Sequence, residues 1–168
     1  TLSCELGIKK DMAQLLVSRG ITGFESAKNF FRPTLDNLHD PFLMKGMEQA
    51  VSRVEEALGN GEKMLVYGDY DVDGTTSVAL MASFLMTKTD QITTYIPDRY
   101  NEGYGISFEG IDYANDNDCS LIIALDCGIK AIDKVKYAKD LGIDFIILGV
   151  STFSHGSVER IFFTTRYL

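Results

Sequence analysis

The sequence predicts an α/β fold: a parallel sheet with helices on both faces, preceded by a helical segment. Three observations lead there. From residue 62 onward, apolar runs of strand length alternate with longer stretches of helical periodicity. Before residue 62, apolar residues recur at three- and four-residue spacing, the mark of helices. Acidic residues with no Lys or Arg beside them follow two of the apolar runs, and chemistry in parallel sheets gathers beyond the carboxyl ends of strands.

In the first part, KKDMAQLLVSRG (9–20), ESAKNFFR (25–32) and DPFLMKGMEQAVSRVEEALGNG (40–61) read as helices, with Gly20 and Gly59 as stop signals. In the second, KMLVYG (63–68) reads as a buried strand and TTSVALMASFLMTKT (75–89) as a helix. QITTYIP (91–97) is the next strand and SFEGIDYANDND (107–118) the next helix. CSLIIALD (119–126), GIKAIDKVKYAKDLG (128–142) and IDFIILGV (143–150) complete four strands with three intervening helices. The expected organisation is a helical segment over 1–61, an α/β domain over 62–148 and a tail over 149–168.

Composition narrows the function classes. The chain has 168 residues, 45% of them hydrophobic, enough for a proper core. No apolar run approaches the roughly 20 residues that span a bilayer, and TLSCELGIKKDMAQ lacks a signal-peptide pattern, so a cytoplasmic address and no membrane partner are expected. Cys4, Cys119 and Cys127 are odd in number and widely spaced, which argues against a disulfide framework and a structural zinc. Cys127 reads as a small buried residue. A net charge of −8 at face value opposes a nucleic-acid partner. The objection weakens if acidic residues hold cations, because their charges are then cancelled locally.

VYGDYDVDGTTS (66–77) poses that case. Asp69, Asp71 and Asp73 alternate, and in extended chain such residues point the same way. Converging carboxylates need shared protons, basic partners or a bound cation. The nearest cations in sequence are Lys63 and Lys88, so a divalent metal is the economical answer, and hard oxygen ligands select Mg²⁺ or Mn²⁺. Asp126, closing LIIALD, is a further acidic residue at a strand end. Two short motifs compete for DYDVDGTT. A calcium loop fails because its twelfth position is Leu80 and a strand precedes it. A haloacid-dehalogenase-type D-x-D-G-T uses Asp71 and Asp73 but gives Asp69 no task.

A longer likeness covers roughly residues 10–147. VYGDYDVDGTTS and LIIALDCGIKA resemble the first two motifs of DHH-family phosphoesterases. YIPDRYNEGYGIS (95–107), LLVSRGIT and NFFRPTLDNLHDPFLMKGMEQAV resemble the RecJ-like exonuclease branch of that family. The resemblance implies a Rossmann-like, DHH-type sheet. It makes Asp71 and Asp73 metal ligands, Asp126 a bridging ligand, and Asp69 either a further ligand or a partner that orients one. All three ligands would be catalytic, in two-metal hydrolysis with Mn²⁺ or Mg²⁺. The implied reaction is 5′ to 3′ removal of nucleotides from single-stranded DNA, in DNA repair and recombination, with other repair proteins as possible partners.

The loop between the motifs supplies substrate candidates. Arg99 is a phosphate fork, Tyr100 and Tyr104 could stack on bases, and Gly103 and Gly105 let backbone approach a nucleotide. Thr75 and Thr76 open the next helix, whose amides favour an anion. Plain alternatives remain: packed tyrosines, an Arg99 pair with Asp98 or Glu102, and threonines that merely cap.

The family's third motif, Asp-His-His, should follow IDFII, and the sequence there reads LGVSTFSHGSVERIFFTTRYL instead. His39 and His155 do not fit it. The expectation is a chain that is the N-terminal part of such an enzyme and inactive as it stands, with a non-catalytic metal- or nucleotide-binding fragment or relative as the alternative.

Overall fold

The computed structural model describes residues 2–152 and 158–164. Two compact units divide at Asp40/Pro41.

The first unit holds α1 (Leu2–Leu6), α2 (Lys10–Ser18) and α3 (Phe24–Phe31). Leu2, Ala13, Leu16, Ile21 and Ala27 form its buried core, with Leu6 and Ile8 against it. The short α1 carries too few residues to show a helical period, and the sequence reading missed it.

The second unit begins with a 3₁₀ turn at Pro41–Leu43 and α4 (Met47–Asn60). Helix α4 runs through Gly59 and stops at Gly61, whose φ of +66° is the left-handed conformation a C-terminal cap needs. The stop is therefore two residues later than expected. Ala50 and Ala57 of α4 pack on the sheet, so the compact units part at residue 40 although the helical segment was read as continuing to 61.

The sheet comprises β1 (Lys63–Gly68), β2 (Ile92–Tyr95), β3 (Cys119–Leu125), β4 (Asp144–Thr152) and β5 (Val158–Thr164), in the order β2-β1-β3-β4-β5. The first four are parallel; β5 adds an antiparallel edge to β4. Between them lie α5 (Val72–Leu85), α6 (Phe108–Asp116) and α7 (Ile132–Asp140). The four parallel strands and three helices are those the alternation predicts. Strand β5 falls in the segment read as a tail.

Alternate residues of β1, β3 and β4 serve two cores. Leu65, Tyr67, Ile122, Ala124, Phe145 and Ile147 pack with Ile111 and Ala114 of α6 and Ala138 of α7. Met64, Val66, Leu121, Ile123 and Ile146 pack with α4 and with Val78, Ala82 and Leu85 of α5. Burial on both faces is why these strands read as continuous apolar runs rather than alternating ones. Among the described residues no helix is long and apolar enough to cross a membrane.

Candidate metal centre

Strands β1 and β3 are neighbours, and the sheet order turns outward in opposite directions from that pair. Such a switch point leaves a crevice at the carboxyl ends. The register ends on Gly68 paired with Leu125, so Asp69 and Asp126 are the next residues on adjacent strands. Asp126 has a φ of +56° and its amide donates to the Leu148 carbonyl at 2.7 Å. A non-glycine residue in that region costs on the order of 1–3 kcal/mol and persists where the surroundings enforce it, which is common at functional sites.

The extended-chain reading of Asp69, Asp71 and Asp73 does not hold. The chain turns helical at Val72, because Asp71 caps α5 by accepting from the Gly74 amide at 2.8 Å. Asp73 then lies in the first helical turn. Asp69 is wholly buried, accepting from the Tyr70 amide and from the Gly105 amide, each at 2.7 Å. Gly74 makes this bend possible, since a Cβ there would lie 2.6 Å from the Asp69 nitrogen.

Electrostatics joins what the chain path separates. Partial desolvation, and then the charges of Asp71, Asp73 and Asp69, hold the Asp126 carboxyl above the usual carboxylate range. The Gly74 amide and then the Tyr104 hydroxyl, which donates to Asp71 Oδ2 at 2.7 Å, hold the Asp71 carboxyl below it. Asp73 and Asp126 accept no hydrogen bond, and none of the four carboxylates has an ion-pair partner, among the described residues. In charge and donor type the set fits a hard divalent cation. As the side chains stand, no three carboxylate, imidazole or thiolate groups among the described residues are gathered round one point.

Two clefts meet at Asp126. One, about 470 Å³, is lined by Asp73, Thr76, Ser77, Leu80 and Leu148. The other, about 500 Å³, is lined by Tyr104, Ile106, Gly128, Lys130 and Lys134. The two lysines are the cations that the sequence did not bring to the acidic cluster, since they lie more than fifty residues along the chain from Asp69.

The loop residues divide. Tyr100 is 92% exposed, with no ring contact among the described residues. Arg99 lies 5.4 Å from the Tyr70 ring centre and makes no ion pair with Asp98 or Glu102. Gly103 and Gly105 have φ of +84° and +90°, and open space lies where a Cβ would project. Thr75 and Thr76 are not caps: their hydroxyls donate back to the carbonyls of Asp71 at 2.7 Å and Val72 at 2.6 Å, and the Thr75 amide is spent on Asp71. Burial pushes the Cys127 thiol up to about 12, consistent with a plain packing role. His39 sits in the first unit, and His155 lies outside the described residues.

Sequence reasoning missed the anchor of this loop. Glu102 accepts from the Tyr95 hydroxyl at 2.9 Å and from Ser107 Oγ at 2.5 Å, and Tyr67 donates to the Gly105 carbonyl at 2.9 Å. Burial, followed by the hydrogen bond to Glu102, pushes the Tyr95 hydroxyl up to about 12. A tyrosine inside a buried strand was the available signal, since its hydroxyl must find a partner.

The model of the DHH family, N-terminal domain, matches residues 63–148. The chain belongs to the DHH family. It is 42% identical over 147 residues to the single-stranded-DNA-specific exonuclease RecJ of Bacillus subtilis (strain 168), covering 88% of this chain and 19% of that protein. The RecJ of Escherichia coli (strain K12) is 35% identical over 138 residues, with 81% and 23% covered. A crystal structure of exonuclease RecJ bound to manganese superposes with a TM-score of 0.60 at 31% identity, over 65% of this chain and 28% of that one. The fold also matches RecJ in complex with Mn²⁺ from Thermus thermophilus, at a TM-score of 0.65 and 24% identity over 92% of this chain and 21% of that one. The DHH chain thus spans about a fifth of the length of these curated relatives. Membership sets aside the haloacid-dehalogenase-type alternative.

Proposed function

We propose that this chain is the metal-binding N-terminal part of a 5′ to 3′ single-stranded-DNA exonuclease, using Mn²⁺ or Mg²⁺ in two-metal phosphodiester hydrolysis. The reading is carried by Asp126, a strained strand-end carboxylate whose proton affinity is raised in part by three other carboxylates with no cationic partner. Relatives named as single-stranded-DNA-specific exonucleases, and one solved with manganese, support the substrate and the metal.

Asp71, Asp73 and Asp126 are the residues that would hold the metal, with Asp69 tying the loop at Gly105 to the end of β1. When bound, paired divalent cations lower the pKa of water and neutralise charge on a leaving phosphate oxygen. The residues of the chain do the rest. Arg99, stacked on Tyr70 and free of carboxylates, is placed to take a phosphate. Tyr100 offers an open ring to a base, and Thr76 borders the cleft beside Asp73.

Calorimetry with Mn²⁺ tests the metal reading. The Asp73→Asn variant is expected to bind about tenfold more weakly or worse, because a charged ligand is lost. Equal affinities would place any bound ion elsewhere. In a longer protein spanning the full length of the relatives, Arg99→Ala is expected to flatten the salt dependence of single-stranded-DNA binding by about one unit of slope. An unchanged slope would leave Arg99 as packing for Tyr70.

A second reading, metal or nucleotide binding without turnover, is favoured for this polypeptide by one observation. Among the described residues no histidine of the sheet unit stands near the carboxylates, and no three metal-ligating groups are gathered.

A further inference from the structure

We propose that Tyr104 is a positioning residue for Asp71, its hydroxyl holding that carboxylate in the orientation a divalent cation requires. The inference rests on the metal reading above. Tyr104 donates to Asp71 Oδ2 at 2.7 Å, and the Gly74 amide donates to Oδ1 at 2.8 Å. One donor on each oxygen, from α5 and from the 97–107 loop, stops the carboxylate from turning. It also leaves lone pairs on both oxygens for a cation.

The tyrosine is itself held. Its ring meets the Tyr70 ring edge-on at 5.5 Å, and the Arg99 guanidinium covers Tyr70. Glu102, two residues before it, is anchored by Tyr95 and Ser107, and Gly105, immediately after it, by Asp69 and Tyr67. A residue bracketed this way delivers its hydroxyl to one place. Base stacking alone would need only an aromatic face, which phenylalanine provides equally well. The hydroxyl therefore has a separate task, of the kind by which hydrogen bonds to ligating carboxylates tune metal affinity.

The test is calorimetric titration of the 168-residue chain and its Tyr104→Phe and Tyr104→Leu variants with Mn²⁺, together with thermal unfolding without metal. The phenylalanine keeps the ring and its contact with Tyr70, so only the hydroxyl is lost. A drop in Mn²⁺ affinity of about 10- to 100-fold in both variants, with the metal-free unfolding midpoint of Tyr104→Phe unchanged, is expected. Wild-type affinity in Tyr104→Phe would overturn the positioning role while leaving the metal reading intact, and so would weakening confined to Tyr104→Leu, which would assign the effect to the ring. Absence of binding to the wild type at millimolar Mn²⁺ would overturn both.

Discussion

Arg53→Met is expected to destabilise the sheet unit by about 3 kcal/mol at neutral pH, measured by urea unfolding. Arg53 is 6% exposed; its Nε donates to Asp144 Oδ2 and its Nη2 to Glu62 Oε2, each at 2.6 Å. Ser120 Oγ also donates to Glu62. The cluster ties α4 to residues at the amino ends of β1, β3 and β4. Removing one partner of a buried pair costs about 3–5 kcal/mol, because the remaining charges stay uncompensated. The low end is expected here, since Arg53 Nη1 is buried without a hydrogen-bond partner among the described residues, and methionine removes that orphan as well.

The pH dependence gives the sign. Burial by itself would raise the Glu62 carboxyl, but hydrogen bonds from Ser120, Arg53 and Asn60 more than offset it and hold the group below its ordinary value. A carboxylate depressed in the folded state contributes stability that is present above its unfolded pKa and lost as pH falls through the folded one. In Arg53→Met, burial is opposed only by Ser120 and Asn60. The gap between wild type and variant should therefore be widest near neutrality and close as pH falls through the carboxylate range. A gap that does not depend on pH would mean the loss is one of packing. Mn²⁺ affinity should be unaffected, because the cluster lies at the strand ends opposite the carboxylates.

The sheet was legible because burial on both faces leaves apolar runs that need no register to be seen, as in LIIAL and DFIIL. The path around Asp71 was not. Alternation of Asp69, Asp71 and Asp73 suggests extended chain, and only the capping geometry with Gly74 turns it into a helix start. Gly74 was the missed signal: it stands three residues after an Asp, where a cap finds its amide. The four acidic residues of the candidate site stood out in the sequence as carboxylates at strand ends with no cation adjacent along the chain. Their separate environments, one buried, one capped and two open, depend on Gly105 and Tyr104, which lie far along the chain from Asp69 and Asp71, and local sequence carries no trace of that. Strand β5 escaped for a different reason, since its pairing with β4 is non-local and its composition was read only for a motif it lacks.

The 168-residue polypeptide is expected to release no nucleotide from 5′-phosphorylated single-stranded DNA with Mn²⁺ above background. Of the four carboxylates at the strand ends, Asp69 has both oxygens engaged by backbone amides, which leaves Asp71, oriented by Gly74 and Tyr104, together with Asp73 and Asp126 to face a cation. Such a set can draw one cation by charge. Stabilising the attacking and leaving oxygens together takes two, and the imidazoles that the family motif would add do not occur next to these carboxylates among the described residues. Loss of one preorganised transition-state contact commonly costs about 10²- to 10³-fold in rate, and groups that act as a unit fail together rather than by independent factors. The comparison is a longer protein carrying Asp-His-His after β4 and spanning the full length of the relatives, assayed on the same DNA. That protein should release nucleotides, and lose the activity on Asp73→Ala. Robust release by the 168-residue chain, abolished by the same Asp73→Ala change so that a contaminant is excluded, would overturn the expectation. It would mean that Asp71, Asp73 and Asp126 gather enough further ligands on substrate binding to complete the site without imidazole.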